Sequence, residues 1–340
     1  MLRRLLSVSI LSLAVVVLGP AAAFACGGLV APGHAEALQR ATTLAAWHGG
    51  FEHYITGFQF IGTADRFGYI IPLPGVPSRI EKGGDWTLER LEREVNPQPV
   101  FEALAAAPTA KDVQVLQRVT VDALDIVVVR GGGRDVAAWA GRNGFDLTPD
   151  TPQVMQRYSS KGAIFALAKF DNKEAVRRGL AEGQGTVIHF TIPTRAPWIP
   201  LQILALGKNR AEIVDADLFI LTDDAPSLSL GSGQLPGLRV RAFGRAGSLL
   251  LQDLRSDRGM RWLPGKGMWF TSLTIHTVAG NITSDLSIDG GGPVAAPRHF
   301  VAPDGSGTTW SAWLASSIAV AGIVLVWLLW RPSRPPFRPA

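Results

Sequence analysis

The stretch Thr42–Phe60, TTLAAWHGGFEHYITGFQF, sets the reading of the fold. Thr42–Trp47 is a short apolar run. His48-Gly49-Gly50 is a turn signal, because glycine accepts the left-handed backbone that tight turns need. From Glu52 to Phe60 the side chains alternate. His53, Ile55 and Gly57 fall on one side, and Tyr54, Thr56 and Phe58 on the other. Such a period of two belongs to a strand with two unlike faces. The next run, Arg66–Leu73 (RFGYIIPL), is rich in β-forming residues and closes at Pro72-Leu73-Pro74-Gly75. The expectation is a series of strands joined by turns.

Working outward, Asp85-Trp86-Thr87-Leu88 starts a helix with Asp85 as N-cap, running to about Val95 and stopping before Pro97. Val113–Val121, Leu124–Val129 and Gly162–Phe170 read as strands. Asp135–Arg142 and Gln153–Tyr158 read as short helices, and Asn172–Glu182 as an amphipathic helix capped by Asn172. Beyond these the pattern is mostly β. The expected strands are Gly185–Ile192, Ile199–Leu206, Ile213–Thr222, Leu238–Phe243, Ser248–Leu254, Trp269–Val278 and Ile282–Ile288. The fold class expected is α+β, largely antiparallel β with several short helices, plus one C-terminal transmembrane helix.

The two ends differ from the middle. Arg3 and Arg4, the apolar run Leu5–Gly19 and the site Ala23-Phe24-Ala25 form an export signal over 1–25, with cleavage expected after Ala25. The new first residue would be Cys26, the one cysteine in the chain. Two processing routes fit: ordinary cleavage leaving a free thiol, or lipidation of Cys26. At the third position before the cysteine stands Ala23, where a lipidation motif typically has a branched apolar residue. Residues 310–330 carry no charge, and 21 residues at 1.5 Å each reach about 31 Å, the thickness of the hydrocarbon core. Trp310 and Trp313 mark one interface and Trp327 and Trp330 the other. Arg331 and Arg334, with Arg338, then place the tail, 331–340, in the cytoplasm. The Gly- and Pro-rich stretch 289–309 reads as a linker. This leaves 26–288 as an extracytoplasmic domain, which a break near 97–112 would divide into two subdomains.

The 340 residues are 47% hydrophobic and 18% charged, so a packed core is within reach and wholesale disorder is excluded. The formal charge is +5. Five of the arginines sit in the two membrane-facing ends, and without them 28 basic residues face 28 acidic ones. No nucleic-acid partner is expected from a neutral middle.

No H-E-x-x-H, G-x-S-x-G or P-loop motif is present, and no two of the six histidines lie two to four residues apart. No cofactor or metal is expected, and catalytic residues stay unassigned. Gly131-Gly132-Gly133 reads as a turn, because it lacks the fuller phosphate-binding fingerprint. His48 and His53 flank Gly49-Gly50, and with Asp65 or Glu52 they form a candidate acid–base or metal cluster, to be weighed against unconnected strand histidines. Seven basic residues, Arg239, Arg241, Arg245, Arg255, Arg258, Arg261 and Lys266, with Asp253 and Asp257 among them, form a candidate patch for anionic headgroups or a partner. The plainer reading is the solvated faces of strands, paired with Asp215, Asp217, Asp223 and Asp224 upstream.

Several stretches together resemble the bacterial domain-of-unknown-function 2330 family. They are Ala25-Cys26-Gly27-Gly28, Ala46-Trp47-His48-Gly49-Gly50, and Phe67-Gly68-Tyr69-Ile70-Ile71-Pro72-Leu73-Pro74. Val136-Ala137-Ala138-Trp139-Ala140 follows with Asn143-Gly144-Phe145, then Tyr158 ahead of Ala163–Lys169, Ile192-Pro193 to Pro200-Leu201, and Asp285-Leu286. The resemblance spans about 26–290. It implies an exported protein, often with a C-terminal span, and supplies no activity and no catalytic residues. Members often carry further cysteines, whereas this chain has Cys26 alone. The functional expectation is a non-enzymatic binding module of the cell envelope, in the cytoplasmic membrane, with an envelope protein as partner. The alternative is an envelope hydrolase with a site assembled from distant residues.

Overall fold

A computed structural model of the chain describes residues 27–31, 36–62, 64–84, 86–96, 116–181, 183–231 and 233–293. The signal 1–25, Cys26, Asp85, the span 310–330 and the tail 331–340 lie outside the described residues. Among the described residues no helix is long and apolar enough to cross a membrane.

In chain order the structure opens with β1 (Gly28–Val30), β2 (Glu36–His48), β3 (Phe51–Gly62), β4 (Arg66–Leu73), β5 (Arg79–Lys82) and α1 (Thr87–Val95). The middle contains β6 (Gln117–Val121), β7 (Leu124–Val129), α2 (Gly133–Arg142), α3 (Thr151–Ser159), β8 (Ile164–Asp171), α4 (Asn172–Arg177), β9 (Ile188–Pro193) and β10 (Trp198–Ile199). The remainder is β11 (Ile213–Thr222), β12 (Leu228–Leu230), β13 (Leu238–Arg245), α5 (Ser248–Ser256), β14 (Trp269–Val278) and β15 (Leu286–Ile288).

These strands build a seven-stranded sheet in the order β13-β14-β11-β2-β3-β9-β5. A five-stranded sheet runs β1-β4-β8-β7-β6, and a small one β10-β15-β12. Among the described pairings all are antiparallel except β2 with β11. The class is α+β with mostly antiparallel sheets and a few short helices. The β2–β3 hairpin closes on Gly49 and Gly50, with φ of +59° and +87°, so that His48 pairs with Phe51. Two left-handed residues give the turn whose twist matches that of the flanking strands.

The layers follow from the alternation. Phe58 and Phe60 on β3 meet Phe67 and Tyr69 on β4 and Phe170 on β8, with the Phe58 and Tyr69 rings 4.4 Å apart. This seam joins the two large sheets. Burial of each such side chain contributes roughly 1.5–3 kcal/mol. The far face of the five-stranded sheet, Ile70, Phe165 and Leu167, packs on α2 and α3. Gly133 is the reason those helices can meet: a Cβ there would lie 2.1 Å from the Met155 carbonyl carbon. The three glycines at 131–133 thus include a packing position as well as a turn. The opposite face of the seven-stranded sheet is covered by α1 and α5, through Leu88, Leu91, Leu250, Leu251 and Leu254.

Several elements differ from expectation. Ser248–Leu254 is not a strand but the start of α5. Leu250, Leu251 and Leu254 are buried while Leu249 is 66% exposed, a helical spacing hidden inside three consecutive leucines. Ile199–Leu206 is not a continuous strand: β10 ends at Ile199, and Gln202–Ala205 form a 3₁₀ turn. Ile282–Ile288 contributes only the three residues of β15. The helix expected over Asn172–Glu182 ends at Arg177, and its cap is Asp171 rather than Asn172, with the Asp171 carboxylate accepting from Glu174 N–H at 2.9 Å. Helix α1 begins at Thr87, and its N-terminal donor is served from outside the helix. Asp257, beyond α5, accepts from both Thr87 N–H and Thr87 Oγ1 at 2.6 Å.

Candidate functional site

Strand alternation decides which candidate residues meet. On β3, His53 lies on the face covered by α1 and α5, and Glu52 on the other face. On β9, Ile55 of β3 pairs with His189, so His189 is the diagonal neighbour of His53 on the same face. His53 Nδ1 and His189 Nε2 lie 2.9 Å apart. Glu81, paired with His189 on β5, places Oε1 3.6 Å from His189 Nδ1. Trp262, from the turn after α5, lies flat on His53 with ring centroids 3.4 Å apart and planes 5° apart. His53 is left 8% exposed and His189 1%.

The hydrogen-bond order is inferred from the surroundings. One proton lies between the two rings. If His53 donates it, His189 carries its own proton on Nδ1, facing the Glu81 carboxylate. The reverse order would aim a nitrogen lone pair at a carboxylate oxygen. His53 Nδ1–H therefore donates to His189 Nε2, and His189 Nδ1–H points toward Glu81, which at 3.6 Å is too far to accept it and leaves that buried nitrogen without a hydrogen-bond partner. Both rings are neutral at pH 7. Burial pulls His53 down to about 3, helped by the neighbouring His189 and His48. Burial, with Arg79 nearby, pulls His189 down to about 4. Such a chain can hold and orient one proton. Among the described residues no group of three His, Cys, Asp or Glu side chains converges as a metal site requires.

The other expected members divide as follows. His48 shares the face of His53, and its Nδ1 bonds to Asp223 Oδ1 at 2.7 Å. Asp65 does not join the histidines. It follows the far end of β3, about 30 Å of strand away, where it pairs with Lys173. Glu52 is fully buried behind the strand. Trp198 N–H donates to Glu52 Oε1 at 3.1 Å, Oε2 has no partner, and burial pushes the carboxyl up to about 8. The sequence drew attention to His53 but missed His189 and Glu81. The only signal available was the alternation of IHFTIP in β9, which cannot reveal that β9 lies beside β3.

The basic patch is organised by an edge. β13 is the outermost strand of the seven-stranded sheet, with Arg239, Arg241 and Arg245 exposed along it. Arg255 on α5, and Arg258, Arg261 and Lys266 in the turn that follows, are exposed as well. The hydrogen-bond partners of these side chains are neutral: Arg241 donates to Asn96 Oδ1 at 2.7 Å, Arg245 to Gly267 O at 2.8 Å, and Arg255 to Leu263 O at 2.9 Å. The acids of the same stretch are occupied elsewhere. Asp253 accepts from Arg90 Nε at 2.8 Å, and Asp257 holds Thr87. The upstream acids do not pair with the patch either. Asp215 bonds to His276, Asp217 to Arg40 and Asp223 to His48. All seven cations are exposed, as solvated faces would have them, and among the described residues none has a carboxylate within ion-pair distance, although Arg241 acts on Asp217 from farther away.

A family model described as an uncharacterized protein conserved in bacteria, the domain of unknown function 2330, matches residues 20–225. The chain belongs to that family. No curated protein matches it. Among solved structures, the crystal structure of the caspase-8/P35 complex aligns with 72% of this chain and 92% of that chain, at 8% identity and a TM-score of 0.32. A likeness of that size carries no argument about fold or function.

Proposed function

We propose that the chain is a single-pass protein of the bacterial cytoplasmic membrane whose extracytoplasmic α+β domain is a non-enzymatic binding module, with the basic edge at β13 as its binding face. The observation that carries this reading is the unpaired charge. Seven exposed cations lie on the edge strand β13, on α5 and in the turn after it, while the two acids among them are turned to other partners. Unneutralised charge on one rim steers an oppositely charged partner and speeds its association. The partner is an envelope protein with an acidic surface. The export signal and the apolar segment 310–330 support the topology.

A second reading, anionic lipid headgroups, is favoured by Leu249, 66% exposed beside the patch, and by Arg245 lying 5.5 Å from the centroid of Trp269. Apolar and aromatic groups beside arginine suit a membrane interface. The hydrolase alternative is weakened by packing: Trp262 covers the ring of His53, and His189 lies beneath it.

The test is cross-linking in native membranes with tagged full-length protein, followed by mass spectrometry. A stoichiometric envelope protein, lost when 27–288 is deleted and the span retained, is the expected result. Flotation of the 27–288 segment, without the span, with anionic but not with neutral vesicles, and no captured protein, would move the reading to headgroups. Neither result, across growth conditions, would reject the binding face. The mass of the mature protein also reports its first residue and whether Cys26 is acylated.

A further inference from the structure

Separate from the basic edge and independent of that reading, a cavity of 330 Å³ lies where α3, the 3₁₀ turn Gln202–Ala205 and the short turn Ala279–Asn281 meet. Three cations line it: Arg157 from α3, and Lys208 and Arg210 from the chain after the 3₁₀ turn. Among the described residues none of the three has a carboxylate within ion-pair distance. The acid that lines the cavity, Asp150, is already engaged. Its carboxylate accepts from Thr148 Oγ1 at 2.7 Å and from Gly207 N–H at 3.1 Å.

Lys208 is the informative member. The residue is half-buried, and its ammonium donates to a single backbone carbonyl, Leu38 O, at 3.1 Å. The nearest acids are occupied: Glu212 Oε1 accepts from Asn209 N–H at 3.1 Å, and Asp215 Oδ1 lies 2.7 Å from His276 Nδ1. A charge taken partly out of water and given one neutral acceptor is incompletely compensated. Two guanidiniums at the same cavity add donors in the planar geometry that grips oxyanions in pairs. The exposed Thr283 lines the rim and can add a hydroxyl donor. The cavity accommodates a small organic group as well as the anion, and lies at the lower end of ligand sites.

We propose that this cavity is a binding site for a small phosphate-bearing anion, gripped by Arg157, Lys208 and Arg210. The phosphate would complete the coordination of the Lys208 ammonium while the two arginines fix its orientation.

The test is calorimetric titration of the full-length protein in detergent with inorganic phosphate and with glycerol 3-phosphate, at constant chloride and ionic strength. The expected result is saturable one-to-one binding of both, tighter for glycerol 3-phosphate because its carbon skeleton fills the remaining space. Arg157→Gln and Arg210→Gln should each weaken binding about tenfold, and the double variant should abolish it, with thermal midpoints unchanged. Lys208→Met should abolish binding without lowering the midpoint, because it removes a poorly compensated charge. The proposal is overturned if the titrations do not saturate at millimolar ligand, or if the folded double variant binds as the parent does. It is also overturned if acetate competes as well as phosphate, which would make the cavity a carboxylate site.

Discussion

Replacement of Glu52 by Gln gives a pH-dependent stability change whose sign and size follow from the structure. Glu52 is fully buried, and its carboxyl titrates at about 8 in the folded protein against an ordinary 4.5. Burial is the main cause, opposed by the Trp198 N–H bond. The folded state therefore holds this proton more tightly than the unfolded chain. Below pH 4.5 the group is neutral in both states and costs nothing. As pH rises from 4.5 to 8 the unfolded chain ionises and the folded one does not, so stability falls by up to about 1.4 kcal/mol per pH unit. Between pH 5 and pH 8 the loss sums to roughly 3–4 kcal/mol, a large part of the stability of a typical domain. Glu52→Gln removes the titration and keeps an oxygen for Trp198 N–H. It also puts amide hydrogens where Oε2 has no partner, a pH-independent cost of about 1–3 kcal/mol. The assay is urea unfolding of the full-length protein in detergent, followed by tryptophan fluorescence, at several pH values for both proteins. Every other titrating group is common to the two and cancels in the difference. The variant is expected to be the weaker at pH 5 and to gain on the parent by roughly 3–4 kcal/mol by pH 8. A difference that stays flat with pH would refute the assignment of Glu52 as a buried, proton-holding carboxyl.

Gly133→Ala should destabilise the protein by about 1–3 kcal/mol, because its Cβ would press on the Met155 backbone and part α2 from α3; the urea midpoint reports it. Asp257→Ala should cost about 1–2 kcal/mol by removing the acceptor for Thr87, and hydrogen exchange should quicken in the first turn of α1. His53 and His189 should show neutral-imidazole ¹⁵N shifts at pH 6, with protonation only as pH falls toward 4 and 3. Their folded pKa values lie below the unfolded 6.5, so the stability they confer is complete above pH 6.5 and declines as pH falls through that range. Either ring showing imidazolium ¹⁵N shifts already at pH 6 would contradict this.

Strands whose signal is local were legible in the sequence. Arg66–Leu73, Ile213–Thr222 and Trp269–Val278 keep their expected limits, because each is a run of β-forming residues bounded by turn-forming ones. The α2 and α3 helices were also legible, within two residues at each end. What failed was local ambiguity and long-range pairing. The Leu249-Leu250-Leu251 run of α5 fits a strand or a helix until its burial is known. The buried histidine pair joins residues 136 positions apart, through a β3–β9 pairing that no local pattern encodes. Asp65 is near His53 in sequence and far from it in space, because an extended strand carries it away at about 3.3 Å per residue. The basic patch was legible as composition. That its charges lack acidic partners depends on where Asp253, Asp257, Asp215, Asp217 and Asp223 point, and only the structure gives that.

The most direct test of the binding-module account is to neutralise the edge strand alone. Full-length protein with Arg239→Gln, Arg241→Gln and Arg245→Gln, exposed positions whose replacement should shift stability by no more than about 0.5 kcal/mol, is compared with the parent for capture of its cross-linked envelope partner at low and high salt. The account predicts strong capture by the parent that weakens with salt, and loss of most capture in the triple variant at every salt concentration. Equal capture by the two proteins, indifferent to salt, would contradict it.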